Sequence, residues 1–209
     1  MRDADVRRAV KAHLEILHEG DTTTRVVEEM GVWSGTVRID IAVINGELCG
    51  YELKSDSDTL DRLPYQIEMY GKVFDRVTLV VGGKHYKKAA TLIPKWWGCL
   101  IADMNGDEVT LRSKRTARRN PAPDPFVLAQ MLWKDEAVAI LEKHNLARGW
   151  RAKPATEISL RLTSELSFRQ LSDEVRTALK VREKLGQLAP GQLYMPVDGI
   201  AHPSSGTSR

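Results

Sequence analysis

Residues 36–54, TVRIDIAVINGELCGYELK, constrain the fold more than any other stretch of the chain. Two runs of β-branched and apolar residues flank Asn45-Gly46, a dipeptide suited to the left-handed backbone of a tight hairpin turn. The stretch therefore predicts two antiparallel strands. Carboxylates interrupt both: Asp40 in the first, Glu52 in the second, with Lys54 two residues beyond Glu52. Side chains alternate across a strand, so Glu52 and Lys54 share one face while Cys49, Tyr51 and Leu53 share the other. Charges on strands otherwise built from Val, Ile, Leu and Ala are costly unless paired or bound to a metal. The hairpin is thus the place to look for chemistry.

The register decides whether the two carboxylates can act together. With a strict two-residue loop Ile44 pairs with Glu47, partner numbers sum to 91, and Asp40 faces away from Glu52. A glycine bulge makes the sum even, 90 or 92, and Asp40 then shares a face with Gly50, Glu52 and Lys54. In that register the small Gly50 leaves room for an ion. Joint chemistry requires a bulged hairpin or an equivalent irregularity, and one is predicted.

A length of 209 residues predicts one medium domain or a domain with an appendage, and the net charge of +3 is nearly balanced. No apolar run is long enough to span a bilayer, and the N-terminal MRDADVRRAVKAHLEIL reads as a charged amphipathic helix rather than a signal sequence. Cys49 and Cys99 both lie in apolar, strand-like segments. They are expected to be small core residues of a reduced, cytoplasmic protein.

Along the chain, Val6, Val10, Leu14 and Leu17 predict a helix over 3–19, closed by Gly20. TTTRVVEEM, 22–30, reads as a second short helix capped by Asp21 or Thr22. After the hairpin, an acidic segment at 55–61 leads into a helix reaching about Phe74. Leu60, Leu63, Ile67, Tyr70 and Phe74 form its apolar stripe, while Asp58, Arg62 and Gln66 fall on another at steps of four. RVTLVVG, 76–82, predicts a strand covered on both faces. A helix over 84–93 and a second hairpin around Asn105-Gly106 follow. The order fits a sheet of mixed direction with helices packed on it.

Composition then changes. Arg112, Lys114, Arg115, Arg118 and Arg119 precede Pro121, Pro123 and Pro125, which reads as a basic, stiff linker. Helical patterns follow at 126–145 and 155–166, and a Ser167–Gln170 capping box opens a last helix. The Gly-, Pro- and Ser-containing tail 186–209 is expected to be disordered, apart from a contact by residues 193–195.

Asp40 and Glu52, with the carbonyl of the intervening Leu53, offer hard oxygen ligands suited to Mg²⁺ or Mn²⁺ rather than zinc. Such an ion polarises a phosphate and activates water, and Lys54 on the same face can orient that water or stabilise developing charge. The five histidines show no metal-ligand spacing.

The ordered set RID…ELK, with an acidic residue before it and a glutamine after it, resembles the PD-(D/E)XK nuclease superfamily. More narrowly, VVEEM…RIDIAVINGELCGYELKSDSDTLDRL is similar to a subfamily of small bacterial members; the likeness covers about residues 20–104. It implies a restriction-endonuclease-like α/β core, a mixed central sheet flanked by helices, over residues 1–112. A linker at 113–125 and a helical C-terminal module at 126–185 would follow. It also implies a Mg²⁺- or Mn²⁺-dependent phosphodiester hydrolase. Its metal ligands would be Asp40, Glu52, the Leu53 carbonyl and a helical Glu29, with Glu28 as the substitute. Lys54 and Gln66 would complete the catalytic set. Arg62, Lys114, Arg115, Arg118 and Arg119 are candidate phosphate contacts, with DNA expected before RNA. That family core has three strands before its second helix, whereas only two are evident here unless Val32-Trp33 forms a short first strand. Near-neutral charge predicts local phosphate attraction, or a second copy or partner protein that completes the binding surface. The alternative is a non-catalytic nucleic-acid-binding or assembly protein that keeps the fold.

Overall fold

In the computed structural model, which describes residues 1–32 and 35–182, the chain forms a six-stranded mixed sheet and, among the described residues, seven α-helices. Strands β1 (Arg25–Val32), β2 (Val37–Asn45), β3 (Glu47–Lys54), β4 (Arg76–Gly82), β5 (Gly98–Asn105) and β6 (Glu108–Arg115) lie side by side in chain order. The β1–β2, β2–β3 and β5–β6 pairs are antiparallel, whereas β3–β4 and β4–β5 are parallel. Connection length explains the change. A turn at Gly46 can only reverse the chain, whereas α2 (Leu63–Gly71) and α3 (Tyr86–Leu92) supply the crossovers that parallel neighbours need.

Helix α1 (Asp3–Leu17) covers one face, where Val6, Val10 and Leu14 meet Ile41, Val43, Leu53, Val80 and Ala102. The other face carries α2 and α3 and then α4 (Pro125–Ala129), α5 (Lys134–Lys143), α6 (Ala155–Glu165) and α7 (Phe168–Val181). Leu141, Leu162, Leu171 and Leu179 enter the same core as Leu79, Tyr70 and Trp97. Each fully buried leucine stabilises that packing by roughly 1.5–3 kcal/mol. The C-terminal half of β4 is a continuous apolar run because Leu79 and Val81 face one core and Val80 the other.

Several expectations are corrected. Residues 22–30 do not form a helix; 25–32 are the edge strand β1. The spacing of Val26, Val27 and Met30 fits a helix, but the β-branched Thr22–Thr24 and Val26-Val27 favour a strand, and β2 provides a partner. β1 ends at Val32, so three strands precede α2; Trp33 lies outside the described residues. Lys114 and Arg115 belong to β6 rather than a linker. Residues 116–124 are no loose tether: the N–H groups of Arg118, Asn120 and Asp124 donate to the carbonyls of Trp96, Asp75 and Lys72 at 2.7, 2.7 and 2.9 Å. The helix expected over 126–145 breaks between α4 and α5 at residues 130–133. Gly50 leaves no space for an ion, since Ile39 and Phe74 pack against it. The tail 186–209 lies outside the described residues.

Candidate functional site

The hairpin takes the even register. Ile41 faces Tyr51, Ala42 faces Gly50 and Asn45 faces Glu47, so partner numbers sum to 92, with Gly46 at φ 60° between the last pair. A second irregularity lies farther along. In β2, Val37 and Ile39 enter the larger core, Ile41 and Val43 the smaller, and Ala42 and Ile44 the larger again, so alternation slips by one residue at Asp40. β1 slips opposite it: Val27, Met30 and Val32 all enter the larger core. Glu29 absorbs that slip with φ 53°, a left-handed conformation non-glycine residues seldom adopt. The β1–β2 pairs Glu28–Ile41 and Met30–Ile39 bracket the irregularity. Both strands thus depart from regular pleating beside Glu29 and Asp40.

Freed from regular pairing, Asp40 reaches across to β3, where its Oδ2 accepts the N–H of Leu53 at 2.8 Å. Its Oδ1 accepts from Arg7 Nη2 of α1 at 3.0 Å, and its carbonyl accepts from Arg7 Nη1 at 3.1 Å. The same Nη2 lies 2.9 Å from Glu29 Oε1. Burial pushes the Asp40 carboxyl above its ordinary range, against the opposing pull of the Leu53 N–H, Lys54 and Arg7.

Glu52 is 1% exposed. Its Oε1 accepts from Lys54 Nζ and Gln66 Nε2, both at 2.5 Å, and its Oε2 lies 2.8 Å from the Tyr70 hydroxyl. Gln66 and Tyr70 come from one face of α2 because they are four residues apart. Burial, reinforced by the nearby Asp40, pushes the Glu52 carboxyl up to about 7, against the stabilising effects of Lys54 and Tyr70.

Glu29, Asp40, Glu52, Leu53, Lys54 and Gln66 all line one polar cleft of about 440 Å³, with Arg38, Asp58 and Arg62 on its walls. Residues spread over 38 positions of sequence meet there. Glu29 arrives from a strand rather than the expected helix; Glu28 turns instead to Lys11, 2.5 Å away. The basic segment is placed elsewhere. Arg115 donates to the carbonyls of Trp97 and Pro94, and Lys114 lies over the ring of Tyr86. Neither they nor Arg118 and Arg119 are among the residues that line the cleft.

Among the described residues no three His, Cys, Asp or Glu side chains form a ready-made metal cluster. The donor chemistry nevertheless suits a hard cation. Asp40 and Glu52 supply carboxylate oxygens, and Gln66 Oε1 is buried without a hydrogen-bond partner. Two members of the site are not evident from the hairpin. Arg7 reads only as a charge on an amphipathic helix, although its place one residue after buried Val6 puts it at the edge of the packed face. Tyr70 reads as core, and its spacing of four from Gln66 is the signal that it shares the site.

A solved structure of a Silicibacter pomeroyi protein of unknown function covers 72% of this chain and 90% of its own, at 23% identity and a TM-score of 0.38. Protein cII of Enterobacteria phage P4 is 27% identical over 158 residues, 75% of this chain. The alignment takes in 59% of that relative, so the chain spans about three fifths of the relative's length. The family described as Bacteriophage P4 protein cII matches residues 1–187, a stretch that includes the whole sheet, the carboxylate cleft and all seven helices; the chain belongs to that family.

Proposed function

We propose that the chain is a divalent-cation-dependent nuclease with a restriction-endonuclease-like core, acting on DNA before RNA. The observation that carries this reading is the convergence of Asp40, Glu52, Lys54 and Gln66 on one polar cleft. The order of elements also supports it: α1, three antiparallel strands, α2, then a strand parallel to the third. In this reading Asp40, Glu52 and the Leu53 carbonyl hold Mg²⁺ or Mn²⁺, with Glu29 assisting. The ion, when bound, supplies polarisation of the phosphate and acidification of a water. Lys54, anchored by Glu52, places a positive charge where the phosphate gains negative charge. Gln66 holds Glu52 through Nε2 and keeps Oε1 free to accept from a water. Arg62 and Arg38 border the cleft as phosphate contacts. Helices α4–α7 and the basic segment 112–119 act in this reading as support and as a separate backbone-binding surface.

The test is cleavage of supercoiled plasmid and single-stranded DNA with Mn²⁺ or Mg²⁺, comparing wild type, Lys54→Ala and an EDTA control. Cleavage that needs the metal and disappears in Lys54→Ala supports the proposal; equal traces from both proteins overturn it. One observation favours the non-catalytic reading: Asp40 and Glu52 both have protein hydrogen-bond partners already. In that reading the cleft is a finished polar core, and the protein binds nucleic acid without cutting it.

A further inference from the structure

Arg7 makes more use of its charge than any other side chain near the cleft. Its Nη2 sits between Glu29 Oε1 and Asp40 Oδ1, at 2.9 and 3.0 Å, so one nitrogen joins carboxylates from two strands. Its Nη1 binds the Asp40 carbonyl at 3.1 Å and lies 3.7 Å from Glu28 Oε2, while Nε reaches Asp3 Oδ2 at 3.3 Å. A guanidinium has five N–H donors and no acceptor, so this contact takes a lone pair on one oxygen of each carboxylate and sets a fixed positive charge beside them.

We infer that Arg7 is a resident cation of the site: it holds Glu29 and Asp40 in place until a divalent ion displaces it. The inference rests on the metal-site reading above. Helix α1 need not move for the exchange, because Val6 and Val10 are fully buried and anchor it, while the Arg7 side chain can rotate. The released guanidinium has carboxylates to receive it: Asp3, four residues back on its own helix, and Glu28, both already at its edge. An ion and an arginine cannot use the same lone pairs together, so Arg7 lowers metal affinity while it stabilises the metal-free fold.

Mn²⁺ binding to the full chain tests this, read from the paramagnetic resonance of free Mn²⁺, for wild type, Arg7→Gln, Arg7→Lys and Asp40→Asn. Arg7→Gln should bind Mn²⁺ about tenfold or more tighter than wild type, since a positive charge beside the ligands has gone. Arg7→Lys, which keeps the charge but loses the fork, should fall between. Melting temperature in EDTA should drop in Arg7→Gln and recover with saturating Mn²⁺. Should Arg7→Gln not fold in EDTA, the Arg7→Lys affinity decides. Variants that bind Mn²⁺ no tighter than wild type overturn the resident-cation inference and leave the metal site standing. Absence of Mn²⁺ binding in every protein, or unchanged binding in Asp40→Asn, overturns the metal site itself.

Discussion

Glu52 Oε2 lies 2.8 Å from the Tyr70 hydroxyl, whose oxygen is also 2.6 Å from the carbonyl oxygen of Arg38. A hydroxyl has one proton, and a carbonyl can only accept. The one proton therefore serves two acceptors, and when it points to Arg38 the Glu52 contact is a hydrogen bond only if Glu52 is protonated. Burial and the neighbouring Asp40 push the Glu52 carboxyl up to about 7, so near neutral pH its protonated and ionised forms are both populated.

That upward shift fixes the sign of a pH effect. Unfolded glutamate titrates near 4.3, so between roughly pH 4.5 and 7 the native chain holds a proton that the unfolded chain has released. Stability should fall as pH rises through that window and level off above it, by an amount on the order of 3 kcal/mol. Asp40, also raised, adds a slope of the same sign, so the comparison needs a variant. Urea unfolding in EDTA across pH 4.5–8 should show a flatter profile for Glu52→Gln than for wild type. Parallel profiles would reject the assignment.

Lys54 separates chemistry from folding. Its amine is bound to Glu52 and lines the cleft. Glu52 can take up a proton when its cationic partner is removed, so below pH 7 Lys54→Met should leave the melting temperature in EDTA within a few degrees of wild type. Mn²⁺ binding should survive. Cleavage should fall by about 10²–10³-fold, the typical cost of removing one group that stabilises developing charge. A Lys54→Met protein that cuts at the wild-type rate would remove Lys54 from the mechanism.

Some of this site is legible in the residues and some is not, for physical reasons. Asn45-Gly46 and the alternation around it announce β2 and β3, and the requirement that Asp40 and Glu52 meet selects the even register that the hairpin adopts. β1 is hidden because Val26, Val27 and Met30 also fit a helical stripe, and only pairing with β2 decides between them. The slip at Glu29 leaves no local mark, since glutamate is a poor candidate for φ 53° and tertiary contacts impose it. Arg7 and Tyr70 are missed for a related reason. A charge on a helix and an aromatic ring in an apolar stripe look ordinary until three-dimensional packing supplies their partners.

Gly50 offers a test of packing apart from chemistry. An added Cβ would lie 3.2 Å from both Ile39 Cδ1 and Phe74 Cδ1, tighter than ordinary contact. Overpacking of this kind costs about 1–3 kcal/mol, partly offset by the lower entropy of an unfolded alanine chain. Gly50→Ala should therefore shift the urea midpoint downward by about 1 kcal/mol in stability. Mn²⁺ affinity should stay as in wild type, because the added methyl meets the core rather than the carboxylates. A large loss of Mn²⁺ binding with little loss of stability would restore the idea that Gly50 makes room for an ion.

Asp75 ties the C-terminal helices to the sheet. It is 6% exposed, and its Oδ2 accepts from the Leu48 N–H of β3 at 2.7 Å and from Arg176 Nη1 of α7 at 3.1 Å. Its own N–H donates to the Leu48 carbonyl, and its carbonyl accepts from Asn120, so hairpin, α7 and the 116–124 segment all meet at one residue. Removing the arginine leaves a buried carboxylate without its counter-charge, a loss of about 3–5 kcal/mol. Arg176→Met should be destabilised on that scale, whereas the Asp75→Asn, Arg176→Met double variant should recover part of it. Because α4–α7 share one core with the sheet, the loss should appear as a single transition. Far-ultraviolet circular dichroism and tryptophan fluorescence should give coincident melting curves, with Trp96 and Trp97 reporting on the sheet side and Trp133 and Trp150 on the helices. Two separated transitions would mean that residues 126–182 unfold as a unit of their own, and that the Asp75–Arg176 pair is a contact between modules rather than a staple within one fold.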